Sequence, residues 1–435
     1  MSRLMPIAIC AATWMTAAVH AENHYLHTFE KVQLSDQFWS EGAGVGDFNA
    51  DGTLDVASGP YWYEGPTFTR RHTYYPDHEA FALKQKDGST RIIPGYPGAL
   101  SNRNAYSNNF LTFGYDFNGD GWDDVLVLGF PGKESIWYEN PRDTNRLWAA
   151  HVAIPVTDNE SPHFTDLTGD GIPEIVCNSG GYFGFASPDM SAPANPWKFR
   201  PVSSKGPWQR FTHGMGVGDV NGDGRMDILE KNGWWEQPES IDGDPVWAFH
   251  KVAFSPGGGA QMFAYDVDRD GDNDVITSIA AHGYGIAWYE QHEENNQIKF
   301  KPHVFVNKEA SENRYGVHFS QPHALDLVDM DQDGIKDIIT GKRFWAHGPT
   351  GDAEPNAPAL LYWFKIHKEK GEVDLIPQEI DDHSGVGTQV MAKDMNNDGF
   401  PEIIVGNKMG TFVHWHKATQ VSRKEWDAAR PKPID

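Results

Sequence analysis

Seven nine-residue segments hold the side chains of this chain most able to do chemistry. They run Asp47 to Asp55, Asp116 to Asp124, Asp166 to Glu174, Asp219 to Asp227, Asp266 to Asp274, Asp329 to Asp337 and Asp394 to Glu402. All follow Asp-x-(Asp/Asn/Thr)-x-Asp-Gly-x-x-(Asp/Glu). Calcium takes six or more hard oxygens, and inward side chains at positions 1, 3, 5 and 9 of a tight turn can supply most of them. The Gly at position 6 allows the sharp reversal. The ligands expected on this reasoning are Asp47, Asn49, Asp51 and Asp55; Asp116, Asn118, Asp120 and Asp124; Asp166, Asp170 and Glu174; Asp219, Asn221, Asp223 and Asp227; Asp266, Asp268, Asp270 and Asp274; Asp329, Asp331, Asp333 and Asp337; and Asp394, Asn396, Asp398 and Glu402. The third segment is the poorest, with Thr168 at position 3. One such turn could be merely solvated, since Asp, Asn and Gly favour turns. A register kept through the chain points instead to several structural Ca2+ sites.

Short apolar runs must hold these turns. Gly216-Val217-Gly218 and Met262 to Tyr265 precede one; Val125 to Leu128, Val275 to Thr277 and Ile403 to Val405 follow one. Their β-branched content and polar borders predict strands, with the acidic segment as the hairpin turn. A third, aromatic run follows in most repeats, as in Trp137-Tyr138-Glu139-Asn140-Pro141 and Trp234-Trp235-Glu236-Gln237-Pro238, and a fourth resembles Trp-x-x-His-x-Val. This predicts an all-β fold, a seven-bladed β-propeller of four-stranded antiparallel blades over residues 22–417. Phe29 to Val32 has no repeat of its own and is expected to complete the last sheet, closing the ring and removing an open edge. Residues 418–435 are expected to be a polar tail. Insertions at 76–109 and 346–359 interrupt the pattern, and long loops in a compact fold are usually functional or disordered.

The chain has 435 residues and a formal charge of -25, so nucleic acid and anionic membrane surfaces are poor partners. Residues 1–21, with Arg3, an apolar stretch and Val19-His20-Ala21, have the form of a secretory signal peptide. Cys10 lies within it, leaving Cys177 alone and no internal disulfide. A monomer exported to the periplasm or beyond is expected, with no membrane insertion.

The Asp-x-Asn-Gly-Asp-Gly-x-x-Asp turns between short strands resemble FG-GAP/VCBS repeats, found in integrin α-subunit propellers and many secreted bacterial proteins. The resemblance covers about residues 28–416. It implies structural calcium on one face of a propeller, held by the residues named above, and it implies no single activity.

With acids on one face, the connections at the other end bring a different set. Glu41, Asn109, His163, His213, Gln261, His323 and Gln389 precede first strands. Lys231, Asn232, His282, Tyr284, Lys342, Arg343, His347, Asn407 and Lys408 follow second strands, and Arg314, Tyr315 and His318 are expected on the same face. A lone His near a strand end is most often a structural hydrogen-bonding group, and a metal set of His163, His213 and His323 rests on weak spacing. The concentration of such residues in repeats four to six favours a ligand site in a concave mouth. Two functions fit. One is a carbohydrate lyase or dehydratase working by β-elimination, with His213 or His323 as base, Tyr284 or His282 as acid, and Lys342 with Arg343 holding an anionic group. Several secreted propellers are polysaccharide lyases, and a fungal keto-sugar dehydratase has similar Trp-x-Glu-Asn-Pro segments. The other is a non-catalytic propeller binding a glycan or a protein. A glycosidase ranks third, because the acids already belong to the turns.

Overall fold

The computed structural model of the protein describes residues 24–101 and 103–434; the leader read from residues 1–21, with Cys10, lies outside them. The fold is all-β and built from antiparallel sheets in which each acidic segment joins a first strand to a second. Residues 44–73 form one four-stranded sheet and 322–381 another. Residues 111–201 form a seven-stranded sheet, because the strand Ala149–Thr165 serves as last strand of one repeat and first of the next. Residues 215–306 form an eight-stranded sheet, fused where Met215–Gly218 pairs in parallel with Gln261–Tyr265. The separate units expected from the repeats are thus merged at two places.

His24–Ser35 pairs antiparallel with Gly410–Val421, with Val32 opposite Val413, so the first strand completes the last sheet. The last strand runs past the expected propeller boundary at residue 417, to Val421, and a helix follows at Arg423–Ala429. The polar segment from 418 thus carries strand and helix. The helix starts at a capping box, in which Ser422 Oγ accepts from Glu425 N–H while the Glu425 carboxylate accepts from Ser422 N–H. Trp426 of that helix stacks on His24 at 4.9 Å.

The core lies between sheets. Phe48, Trp62 and Tyr74 pack on Val125, Val127 and Trp148. Equivalent clusters follow along the chain, and one sets Trp39, Val56, Tyr61 and Tyr63 against Met395, Ile404 and Val413, joining the first sheet to the last. Burying each large apolar side chain contributes about 1.5–3 kcal/mol. The aromatic runs carry a repeated device: His72, His151, His250 and His303 stack on Trp62, Trp137, Trp234 and Trp288 at 4.2–4.5 Å. The same four imidazoles pair with Glu64, Glu139, Glu236 and Glu290. Asn140 and Gln237, next along the chain from two of these acids, donate to Phe48 O and Leu167 O of the preceding repeat at 2.9 and 3.0 Å. The Trp-x-Glu-(Asn/Gln)-Pro motif is therefore a staple between sheets.

First strands approach one another closely. A Cβ on Gly44 would strike Thr112 backbone, and one on Gly216 would strike Met262 backbone. The Gln389 amide donates to Thr112 O at 3.0 Å and accepts from Thr112 N–H at 2.9 Å. Gln261 reaches Thr388 O at 2.9 Å and accepts from Leu325 N–H at 3.0 Å. Among the described residues no helix is long and apolar enough to cross a membrane. Cys177 is free and buried, and burial pushes its thiol pKa up.

Candidate functional site

In the acidic turns the carboxylates first build the loop. Asp47 accepts from Asp51 N–H at 3.0 Å and Gly52 N–H at 2.9 Å, and Asp51 accepts from Thr53 N–H at 2.8 Å. Asp55 is buried and accepts from Phe48 N–H and from Gly65 N–H at the end of the third strand, at 2.9 and 2.8 Å. Asp124, Asp227 and Asp274 repeat this double bond, with Asn140, Gln237 and Gln291 as the second donors. Burial, opposed by those N–H groups and reinforced by the neighbouring acids, raises the pKa of Asp55, Asp227 and Asp274 to about 7 and that of Asp124 to about 8.

Such a cluster fits a cation. Ligand oxygens of Asp266, Asp268 and Asp274 lie within 4.8 Å of one another, as do those of Asp329, Asp331 and Asp333. Asp329 Oδ1 and Asp331 Oδ1 are buried with no hydrogen-bond partner. Built-in cations compete in some turns: Lys365 bonds Asp331 and Asp333, Arg142 bonds Asp120 and Arg225 bonds Asp223. Position 4 has positive φ in every turn, filled by Gly119, Gly169 and Gly222 but also by Ala50, Arg269, Gln332 and Asn397. Sequence reasoning singled out only position 6.

Antiparallel alternation sends the starts of first strands and the ends of second strands to the opposite end of the sheets. There a cavity of about 380 Å³ is lined by Tyr106, Phe110, Phe130, Glu160, Phe211, His213, His282, Arg343 and His347. The insertion at 76–109 supplies Tyr106, and that at 346–359 supplies His347 and Asp352. His213 Nε2 faces His282 Nε2 at 2.9 Å and Glu160 Oε2 at 3.6 Å. His323, fully buried, lies 3.4 Å from Glu160 Oε2. Arg343, also buried, donates to His323 Nε2 at 3.0 Å and pairs with Glu41 at 2.7 Å. Asp352 accepts from His347 Nδ1 at 2.8 Å and lies 3.5 Å from His282 Nδ1.

Burial lowers the pKa of His213 and His323, and the Arg343 charge adds to the effect on His323. Both imidazoles are therefore neutral at neutral pH. Burial alone would raise the Glu160 carboxyl, but its surroundings, the Arg343 guanidinium at 3.7 Å among them, lower it. Lys408, driven down to about 8 by burial, donates to Asn104, Trp345 O and Ala346 O and lies 4.4 Å from the centre of the Tyr106 ring.

His213, His282, His323 and Arg343, read from spacing as a site, do come together. Lys342 does not join them; its ammonium is buried against Ser320 at 3.2 Å. Tyr284 stands outside the cavity, beside Lys308. His163 donates to Met215 O at 3.1 Å and is a structural histidine, with burial lowering its pKa to about 4. Gln261 and Gln389 tie first strands together, as described above. Arg314 and Tyr315 line a larger groove of about 490 Å³ at the rim, where both are held by Asp374. That groove gathers no comparable cluster of bases. Glu160 and Asp352 were missed. Glu160 lies six residues before Asp166, the register that Glu41, His213 and His323 hold before Asp47, Asp219 and Asp329, so the repeat could have shown it; Asp352 sits in an insertion where no period applies.

Residues 116–177 match the FG-GAP-like repeat family. No curated protein matches the chain. Among solved structures it is similar to an auxiliary nutrient binding protein from Bacteroides ovatus ATCC 8483, at 10% identity over 74% of this chain and 72% of that one, with a TM-score of 0.42. A protein from Lactobacillus plantarum is similar at 10% identity over 80% of this chain and 86% of that one, with a TM-score of 0.45.

Proposed function

We propose that this FG-GAP/VCBS repeat protein is an exported, calcium-stabilised, seven-bladed propeller, closed by its N-terminal strand, whose mouth acts on carbohydrate as a carbon–oxygen lyase. The ring closure is supported by the cluster joining Trp39, Val56 and Tyr61 to Ile404 and Val413, and by the pairing of residues 24–35 with 410–421. Calcium is supported by the unpartnered carboxylate oxygens of Asp329 and Asp331. Export rests on the form of residues 1–21 alone.

The observation that carries the catalytic reading is the His347–Asp352 dyad on the wall of an aromatic cavity. Asp352 can only accept, so His347 Nδ1 carries its proton and Nε2 keeps a lone pair, the form a general base needs. His347 remains half exposed, whereas His323 is sealed in and its Nε2 is taken by Arg343, which makes His347 a better base than His323. Tyr106 and the phenylalanines offer faces on which a sugar ring can stack. In the reaction, His347 Nε2 takes the proton from the carbon next to a carboxylate or ketone. The electron pair of that C–H bond forms the new C=C bond as the β C–O bond breaks. The leaving oxygen takes a proton from the Tyr106 phenol, which burial keeps protonated.

The test incubates the mature protein with uronate polysaccharides and with 3-keto and 1,5-anhydro sugars, and follows absorbance from a conjugated double bond. Activity is expected, and His347→Ala should lower kcat about 10²–10⁴-fold. Measurable glycan binding without new absorbance across the panel would leave a non-catalytic binding propeller as the function.

A further inference from the structure

Four acceptor atoms converge at the floor of the cavity in a way that neutral side chains alone do not satisfy. His213 Nδ1 lies 2.9 Å from Phe211 O. A carbonyl only accepts, so the proton of neutral His213 is on Nδ1 and its Nε2 is a bare lone pair. His323 Nε2 receives Arg343 Nη1–H, and a guanidinium only donates, so this nitrogen is bare as well. Its proton then sits on Nδ1, which is buried without a partner. Asp352, 3.5 Å from His282 Nδ1, favours the proton on that side and leaves His282 Nε2 bare. His282 Nε2 nevertheless faces His213 Nε2 at 2.9 Å. The fourth acceptor is Glu160 Oε2, at 3.4–3.6 Å from His323 and His213.

Lone pairs aimed at one another repel, and a cation among them removes the conflict. We propose that Glu160, His213, His282 and His323 form a binding site for one divalent transition-metal ion of the zinc class, separate from the acidic turns. Their ligand atoms all lie within 4.8 Å of one another. Four ligands at about 2.0–2.1 Å from a tetrahedral ion stand about 3.3 Å apart, and the observed 2.9, 3.4 and 3.6 Å bracket that spacing. Three imidazoles and one carboxylate select this class over calcium, which takes oxygen ligands. The outer shell is also in place. Phe211 O fixes the tautomer of His213, and Asp352 stands 3.5 Å behind His282 Nδ1, as carbonyls and carboxylates do behind metal-bound histidines. Arg343 gives up its contact with His323 Nε2 when the ion takes that lone pair, and keeps Glu41 at 2.7 Å. The site is drawn from one residue or more of the third, fourth, fifth and sixth repeats, so it exists only when those sheets are assembled. It stands whether or not the mouth performs an elimination.

The test uses the full mature chain, stripped with a transition-metal chelator and kept in calcium. Titration with Co2+ should give a visible ligand-field band that saturates at one equivalent, and Zn2+ should displace it. His282→Gln and Glu160→Gln should abolish the band while circular dichroism and calcium-dependent melting stay as in wild type. Asp352→Asn should weaken Co2+ binding about 10–100-fold. If one ligand variant fails to fold, the other and the wild-type titration still decide. Absence of the band in folded wild type, or a band that survives both ligand substitutions, overturns the site.

Discussion

At the scale of single residues, the acidic turns show how one side chain takes two tasks. Asp47 and Asp55 accept backbone N–H groups that shape the loop, and each carboxylate oxygen keeps a second lone pair for an ion. The ligand types were legible because their spacing recurs. The demand at position 4 was not, since Ala50 and Arg269 look like ordinary turn residues, yet they hold φ of 54° and 60°. At Gly52, by contrast, a Cβ would meet nothing within 4 Å, so glycine is required there for its φ of 86° and not for space. Ala50→Gly should therefore stabilise the calcium-loaded protein by about 0.5–1 kcal/mol, the left-handed strain relieved less the added chain entropy. Thermal melting of the pair would show it, and an unchanged or lowered Tm would contradict the strain argument. The cavity histidines were visible as types but not as partners. Only the fold shows that His213, His282 and His323 meet while His163 turns to Met215 O.

Among the elements, the aromatic third strands and His-bearing fourth strands were readable because their motif repeats, and the structure supplies the reason: Trp, Glu and His form one stacked and ion-paired unit across two strands. The C-terminal helix escaped notice although Ser422-x-x-Glu425 announces it, because seven residues with no buried side chain leave no apolar period to detect. The seam between residues 24–35 and 410–421 carries its own pH response. His27 Nδ1 and His416 Nε2 lie 2.8 Å apart, and His416 Nδ1 donates to Pro401 O at 3.2 Å. Burial lowers the pKa of His416 to about 4 and of His27 to about 3, and the His416 charge adds to the effect on His27. Between these values and the ordinary 6.5 the unfolded chain binds more protons than the folded one, so stability rises with pH across that window. The seam's contribution is complete above about pH 6.5 and is lost as pH falls towards 4. His416→Gln should flatten this acid limb in melts between those pH values, and an equally steep limb would place the response elsewhere.

For the molecule as a whole, the proposed ring joins a metal-requiring face to a ligand-binding face. If calcium fills the turns, an ion at one hundred times its Kd adds about 2.7 kcal/mol per site. Chelating calcium should then lower Tm steeply, and restoring it should recover the loss. A Tm indifferent to chelator would remove the ion from the account of stability. The acid-rich repeats made this face legible from sequence. The mouth was only half legible, because part of its wall comes from insertions, where Tyr106 and Asp352 obey no period. Gln261, Gln389 and Thr388 stitch the first strands together, and glycines let those backbones close up beneath the cavity. The pocket is thus a dead end. If the proposed activity holds, a polymer that cannot thread through would be trimmed from a terminus or a side branch, each product would back out before the next molecule docks, and product should compete with substrate.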